Sequence, residues 1–301
     1  MTRRSHDRRN ELAGIALAVA AGGSFGTLAI FGKLAYEEGA DAFPLLAIRF
    51  AATSLLLVAF HLVTGRSLAL PRAKALRLTL LGALGYGFEA SLFFFALEYA
   101  PAGVVSLIFF SYPLWTTLIA LATKLEPFHP RVFGALILGT VGVATIFSIE
   151  TGDLRGPLLA FGAAVAVAIY FLLAQLFTRD VEPAAAATWT AFGATAALSI
   201  ALLFTSWDFP IGALAPAGAL GLATAFSFVA IYAAIARLGS ARVAIASMIE
   251  PVTTVILAAL FLGERITLRI AVGAILVVAA LPILATRGRE EGARTVAPDT
   301  V

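Results

Sequence analysis

The apolar positions of this chain fall into long blocks separated by short polar breaks. Blocks bounded by Gly, Pro and charge run over 12–34, 44–64, 76–97, 102–122, 130–148, 156–177, 184–204, 213–236, 241–262 and 268–286. Each is about 20 residues, the length a helix rising ~1.5 Å per residue needs to cross a hydrocarbon core of ~30 Å. The pattern therefore predicts an all-α integral membrane protein with ten transmembrane helices. The breaks are short, as in 205–210, and none has room for a soluble domain. The tails, 1–11 and 287–301, are polar. Arg3, Arg4, Arg8 and Arg9 precede the first block as they would in a signal peptide. The apolar run continues to Ala35, however, past an h-region of ~7–15 residues, so the block reads as a retained span.

Composition supports this class. Hydrophobic residues make up 60% of the chain and charged residues only 13%, against ~25% in soluble domains. So few charges cannot cover a water-facing surface. Their placement orients the chain. With the N-terminus in the cytoplasm, 16 basic residues fall on the inner side and only Arg155, Arg265 and Arg269 on the outer. Lys33 and Arg49, inside spans, complete the 21. This bias is the positive-inside rule, and it puts both tails in the cytoplasm. The short tails and high Ala, Arg and Leu usage point to a bacterial cell (inner) membrane. It also explains the net charge of +3 without a nucleic-acid partner.

Several chemistries are excluded. There are no cysteines, hence no disulfide and no thiolate metal site, and no metal or cofactor is expected. No G-x-x-x-x-G-K-[ST] loop is present to bind ATP phosphates. Gly22-Gly23-Ser24-Phe25-Gly26 matches the nucleophile elbow of hydrolases, but no strand precedes it and no histidine lies at membrane depth. It reads instead as a Gly22-x-x-x-Gly26 helix-contact face. An enzyme is not expected.

The two halves repeat. A shift of 138 residues aligns 100–146 with 238–284, matching Pro113 to Pro251, Thr116 to Thr254, Glu126 to Glu264 and Arg131 to Arg269. Five spans per half is an odd number, so the second half is inverted relative to the first. Inverted repeats that meet at the bilayer midplane are a common basis for alternating access.

At these residues the chain resembles a known family. Phe95-Ala96-Leu97-Glu98-Tyr99-Ala100, Ser106-Leu107, Pro113-Leu114 and Glu126 look like the EamA half of the drug/metabolite transporter superfamily. Ala246-Ser247, Glu250-Pro251 and Leu262-Gly263-Glu264-Arg265 look like its second copy. Lys124-Leu125-Glu126-Pro127 departs from the Leu-Gly-Glu-Arg pattern. The resemblance implies two inverted five-helix EamA repeats, 12–148 and 149–286, enclosing a cavity from which the fifth and tenth spans stand aside. It also implies transport of small metabolites, with similarity to amino-acid exporters.

Ionisable groups at membrane depth are costly and mark candidate sites. By helix rise, Lys33 lies within about 3 Å of the outer boundary, where snorkelling explains it. Arg49 lies about 7–8 Å below that boundary and Glu89 about 12 Å below it on a neighbouring span. They are placed to form a structural bridge or to face a cavity together. Glu250 sits near the middle of the ninth span, beside Pro251. Pro113 and Pro251 are expected to leave the carbonyls of Phe109 and Ser247 unbonded and to bend or hinge their helices. Proton coupling through Glu89 or Glu250 is the corresponding hypothesis. Tyr86, Phe110, Tyr112, Tyr170 and Tyr232 lie mid-span and are candidate walls of an apolar site, although most such rings serve packing. Ser24 and Thr27, near Gly26, are candidate polar contacts. Gln175, near an inner end, reads as a cap.

Arg49 and Lys33 with Glu89 and Glu250 supply both signs, as a zwitterion requires. The expected function is thus a secondary transporter or facilitator of small metabolites, led by export of aromatic and hydrophobic amino acids. Multidrug cation efflux ranks lower: the resemblance implies a first-span carboxylate for it, as in small members of the superfamily, and none lies between Leu12 and Lys33. Sugar-phosphate or nucleotide-sugar exchange also ranks lower, for lack of further buried cations. The expected partners are a small-molecule substrate and membrane lipid, with the protein a monomer or, through Gly134, Gly139 and Gly142, a weak homodimer.

Overall fold

The computed structural model describes residues 2–100, 102–146, 153–204, 209–261, 263 and 265–285, and every regular element among them is helical. The helices are α1 (Thr2–Gly26), α2 (Leu28–Glu37), α3 (Ala42–Thr64), α4 (Arg72–Leu80), α5 (Phe88–Tyr99), α6 (Ala102–Phe109), α7 (Tyr112–Ala122) and α8 (Pro130–Ile146). They continue with α9 (Arg155–Phe177), α10 (Pro183–Ala201), α11 (Leu214–Leu238), α12 (Ser240–Ala246), α13 (Ile249–Phe261) and α14 (Leu268–Ala285). A seven-residue π-segment, Leu81–Gly87, joins α4 to α5. Helix thus occupies every apolar block read from the sequence. Among the described residues seven helical segments are individually long and apolar enough to cross a membrane, with shorter apolar helices at Pro130–Ile146 and Leu268–Ile283. Glu264 and most of the 205–210 connection lie outside the described residues.

Lipid gives apolar side chains no reason to leave it, so membrane helices associate by close backbone approach and polar contacts. The chain follows that rule. A Cβ on Gly193 of α10 would overlap the Thr79 carbonyl of α4, and one on Gly82 would overlap the Thr190 carbonyl. The glycines at this crossing are therefore obligatory. Helices α8 and α14 pack on each other in the same way through Gly142 and Gly273. Gly139 faces Met248, so two of the three glycines considered for a dimer interface are used within the chain, and only Gly134 is open. Large apolar side chains such as Leu62, Val63 and Leu203 point outward, as a lipid-facing rim requires.

Three spans are broken where they pass the centre of the bundle. The first breaks at Thr27, whose N–H and hydroxyl both donate to the Ser24 carbonyl. The α6–α7 break is at 110–111 and the α12–α13 break at 247–248. Contrary to the expectation from sequence, Pro113 and Pro251 do not bend continuous helices. Pro113 and Pro251 each lie in the first turn of a new helix, where a missing N–H costs nothing. The Ser247 carbonyl, expected to be unbonded, accepts the Glu250 N–H at 3.0 Å.

Candidate functional site

These breaks and the π-segment surround a central cavity of about 290 Å³. Helix α3 brings Arg49 to its wall. The π-segment and α5 bring Tyr86 and Glu89, the α6–α7 break and α7 bring Phe110 and Tyr112, α9 brings Tyr170, and α13 brings Glu250 and Pro251. The glycine face of α1 sets the last pair: a Cβ on Gly26 would fall 2.8 Å from the Glu250 carbonyl, and the Gly26 carbonyl accepts from Thr254 at 3.1 Å. The Gly22-x-x-x-Gly26 motif is thus a helix-contact face.

Arg49 is 9% exposed. Its Nε donates to the Thr224 hydroxyl at 2.8 Å, and the guanidinium carbon lies 5.0 Å from the centroid of the Phe50 ring. Its Nη2 is buried without a hydrogen-bond partner. Glu89 and Glu250 are within electrostatic reach of the guanidinium, yet among the described residues neither comes within ion-pair distance of it. The Arg49–Glu89 bridge considered from sequence is not formed. Instead, both groups face the same void.

The remaining walls are rings interleaved with aliphatic side chains such as Leu46, Val167 and Ile231. Tyr86 packs edge-on against Phe50, Tyr170 and Phe228 with centroids 5.0–5.6 Å apart, and Tyr112 packs on Phe109 and Phe171. This mixture of rings with a few charges suits a small amphiphilic molecule.

Other expected site residues lie elsewhere. Ser24 donates to the Ala223 carbonyl at 3.1 Å and Thr27 to its own helix end, so both serve backbone packing. Lys33 is exposed and away from the cavity. Tyr232 lies behind the wall, where its hydroxyl links Tyr170 at 2.9 Å to Thr190 at 2.6 Å. Pro113 is buried next to the lining residue Tyr112. Sequence reasoning missed Thr224, Phe50 and Phe228. Their residue types are common in membrane helices, and only their neighbours distinguish them.

Polar contacts close the end of the bundle beyond the cavity. Arg242 of α12 bridges to Glu11 of α1. Glu126, after α7, accepts from the Ala241 N–H at 3.1 Å and the Ser240 hydroxyl at 3.3 Å, while Gln175 accepts from the Ser240 N–H at 2.6 Å. Gln175 therefore caps α12, not its own helix. The preceding turn places Gly239 at φ 84°, where a side chain would be strained and its Cβ would fall 2.6 Å from Glu126. Burial pushes the Glu126 carboxyl above its ordinary value, against the pull of the Ala241 and Ser240 donors and Arg242.

A helical bundle with lipid-compatible walls around a buried site of both charge signs is a multi-pass membrane protein of the transporter class. The chain belongs to the EamA-like transporter family, whose model matches residues 12–148 and 154–286. It is 28% identical over 203 residues to the "uncharacterized transporter sll1319" of Synechocystis sp.. That alignment covers 62% of this chain and 60% of the relative. A crystal structure described only as that of a protein superposes with a TM-score of 0.78. It covers 93% of this chain and 99% of the other at 20% identity, a likeness of fold.

Proposed function

We propose that this transporter moves amino acids, aromatic and hydrophobic ones first, out of the cytoplasm by alternating access. In this reading the chain crosses a cell (inner) membrane ten times as two inverted five-helix repeats, with both tails cytoplasmic. The observation that carries the proposal is the joint presence of Arg49, Glu89 and Glu250 on one aromatic-walled cavity. An α-amino acid presents a carboxylate and an ammonium on one carbon, and a ring or alkyl group beyond them. The cavity offers a counterpart for each. With the N-terminus inside, the Glu11–Arg242 end is cytoplasmic and the exposed rim residue Tyr36 lies towards the outside. The chain is then closed inward. Glu89 and Glu250 are the groups through which a proton gradient would couple.

The test is counterflow in proteoliposomes with labelled amino acids, organic cations and sugar phosphates. L-phenylalanine should exchange, and Arg49→Ala should abolish that exchange. Flux of cations or sugar phosphates without any amino acid would overturn the substrate assignment. Uptake by Glu89→Gln and Glu250→Gln that still followed the pH gradient fully would end the proton-coupling hypothesis.

A further inference from the structure

Most of the polar surroundings of Arg49 are built from one side, with the Tyr86 hydroxyl of the π-segment within hydrogen-bonding reach on another. Its Nε donates to Thr224, whose hydroxyl donates in turn to the Leu220 carbonyl at 2.7 Å. With its one proton committed to its own helix, the Thr224 hydroxyl can only accept from Arg49, which fixes the direction of the contact. Helix α11 approaches closely enough for this because residue 221 is glycine: a Cβ there would fall 2.6 Å from Ala52 and 3.1 Å from the Arg49 carbonyl. Thr53 closes the same crossing by donating to the Arg49 and Gly221 carbonyls. The Phe50 ring supports the guanidinium from beneath.

The fold therefore commits four residues to holding this cation, yet leaves Nη2 without a partner although two carboxyl groups are close by. A buried cation short of acceptors is costly, and an Arg kept for structure alone would be expected to pair with one of those acids. A planar guanidinium with unused donors matches a carboxylate.

We propose that Thr224 is a specificity-determining positioning residue. It holds Arg49 so that the remaining donors are reserved for a carboxylate on the transported molecule. The inference rests on the cavity being the transport site proposed above, and it adds which group is read and what aims the reader.

The experiment compares wild type, Thr224→Val and Thr224→Ser in proteoliposomes, with labelled L-phenylalanine, phenylacetate and phenethylamine as probes. Wild type should carry a probe bearing a carboxylate. Thr224→Val, equal in shape but without the acceptor, should raise KM for that probe about tenfold with Vmax little changed, since a hydrogen bond to a charged group is lost. Thr224→Ser should restore the wild-type KM. If Thr224→Val does not fold, Thr224→Ala takes its place with the same expectation. Unchanged KM in Thr224→Val, or a loss confined to Vmax, would overturn the role of Thr224 and leave amino-acid transport standing. Carriage of phenylacetate but not phenylalanine, with KM raised in Thr224→Val, would end the amino-acid reading and support the carboxylate one. Carriage of phenethylamine alone, or of none of the three, would overturn both.

Discussion

Arg242 of α12 and Glu11 of α1 form a buried ion pair that joins the first helix to the second half of the chain, their side chains 5% and 16% exposed. Removing one partner of such a pair strands a charge and costs about 3–5 kcal/mol. Arg242→Ala and Glu11→Ala should each lower the thermal midpoint, and the double variant should lose less than the sum by about 0.5–3 kcal/mol. The pair should also hold this end of the bundle shut. Because the chain has no cysteine, Ala18→Cys, at a fully buried position of α1 seven residues beyond Glu11, can report opening, and maleimide should label it faster when Arg242 is replaced. Additive losses with unchanged labelling would show that the pair closes nothing.

Glu126 supplies a pH dependence. Its folded-state carboxyl is raised above the ordinary 4.5 by burial, so its contribution to stability is fully present below 4.5 and is lost as pH rises through the folded value. Glu126→Gln keeps an oxygen for the Ala241 N–H but cannot ionise. Thermal midpoints measured from pH 4 upward should therefore fall more in wild type than in the variant. Parallel profiles would contradict this.

The α4–α10 crossing makes a packing prediction with an internal control. Gly193→Ala sets a methyl against the Thr79 carbonyl and should destabilise by about 1–3 kcal/mol or more. Gly134→Ala, with open space around it, should be neutral or stabilising by about 0.5–1 kcal/mol through helix propensity. Thermal midpoints of the two variants, compared with wild type, provide the check.

Tyr232 is 1% exposed, and its hydroxyl joins Tyr170 to Thr190. Tyr232→Phe leaves two buried hydroxyls short of a partner and should cost about 1–3 kcal/mol, seen as a lowered midpoint. Tyr36→Phe, on the exposed rim, should not move it.

Much of the fold was legible because a bilayer imposes a length and a polarity on every crossing, and these are properties of consecutive residues. The apolar blocks, the glycine contact face and the unusual depth of Arg49, Glu89 and Glu250 could all be read along the chain. The fate of the prolines could not. Whether Pro113 and Pro251 bend a helix or begin one depends on the hydrogen bonds around them, and the chain broke so that each proline sits in a first turn.

The sequence by itself determined the helical membrane class, the family, and which charged residues lie at depth, since each follows from local composition and spacing. Only the tertiary structure decided that Arg49 is held by Thr224 rather than paired with Glu89, that Lys33 and Tyr232 stay off the cavity, and that Gln175 and Glu126 cap α12. Most of those outcomes depend on helices 42 to 175 residues apart in sequence meeting in space. No local pattern records which two faces will meet.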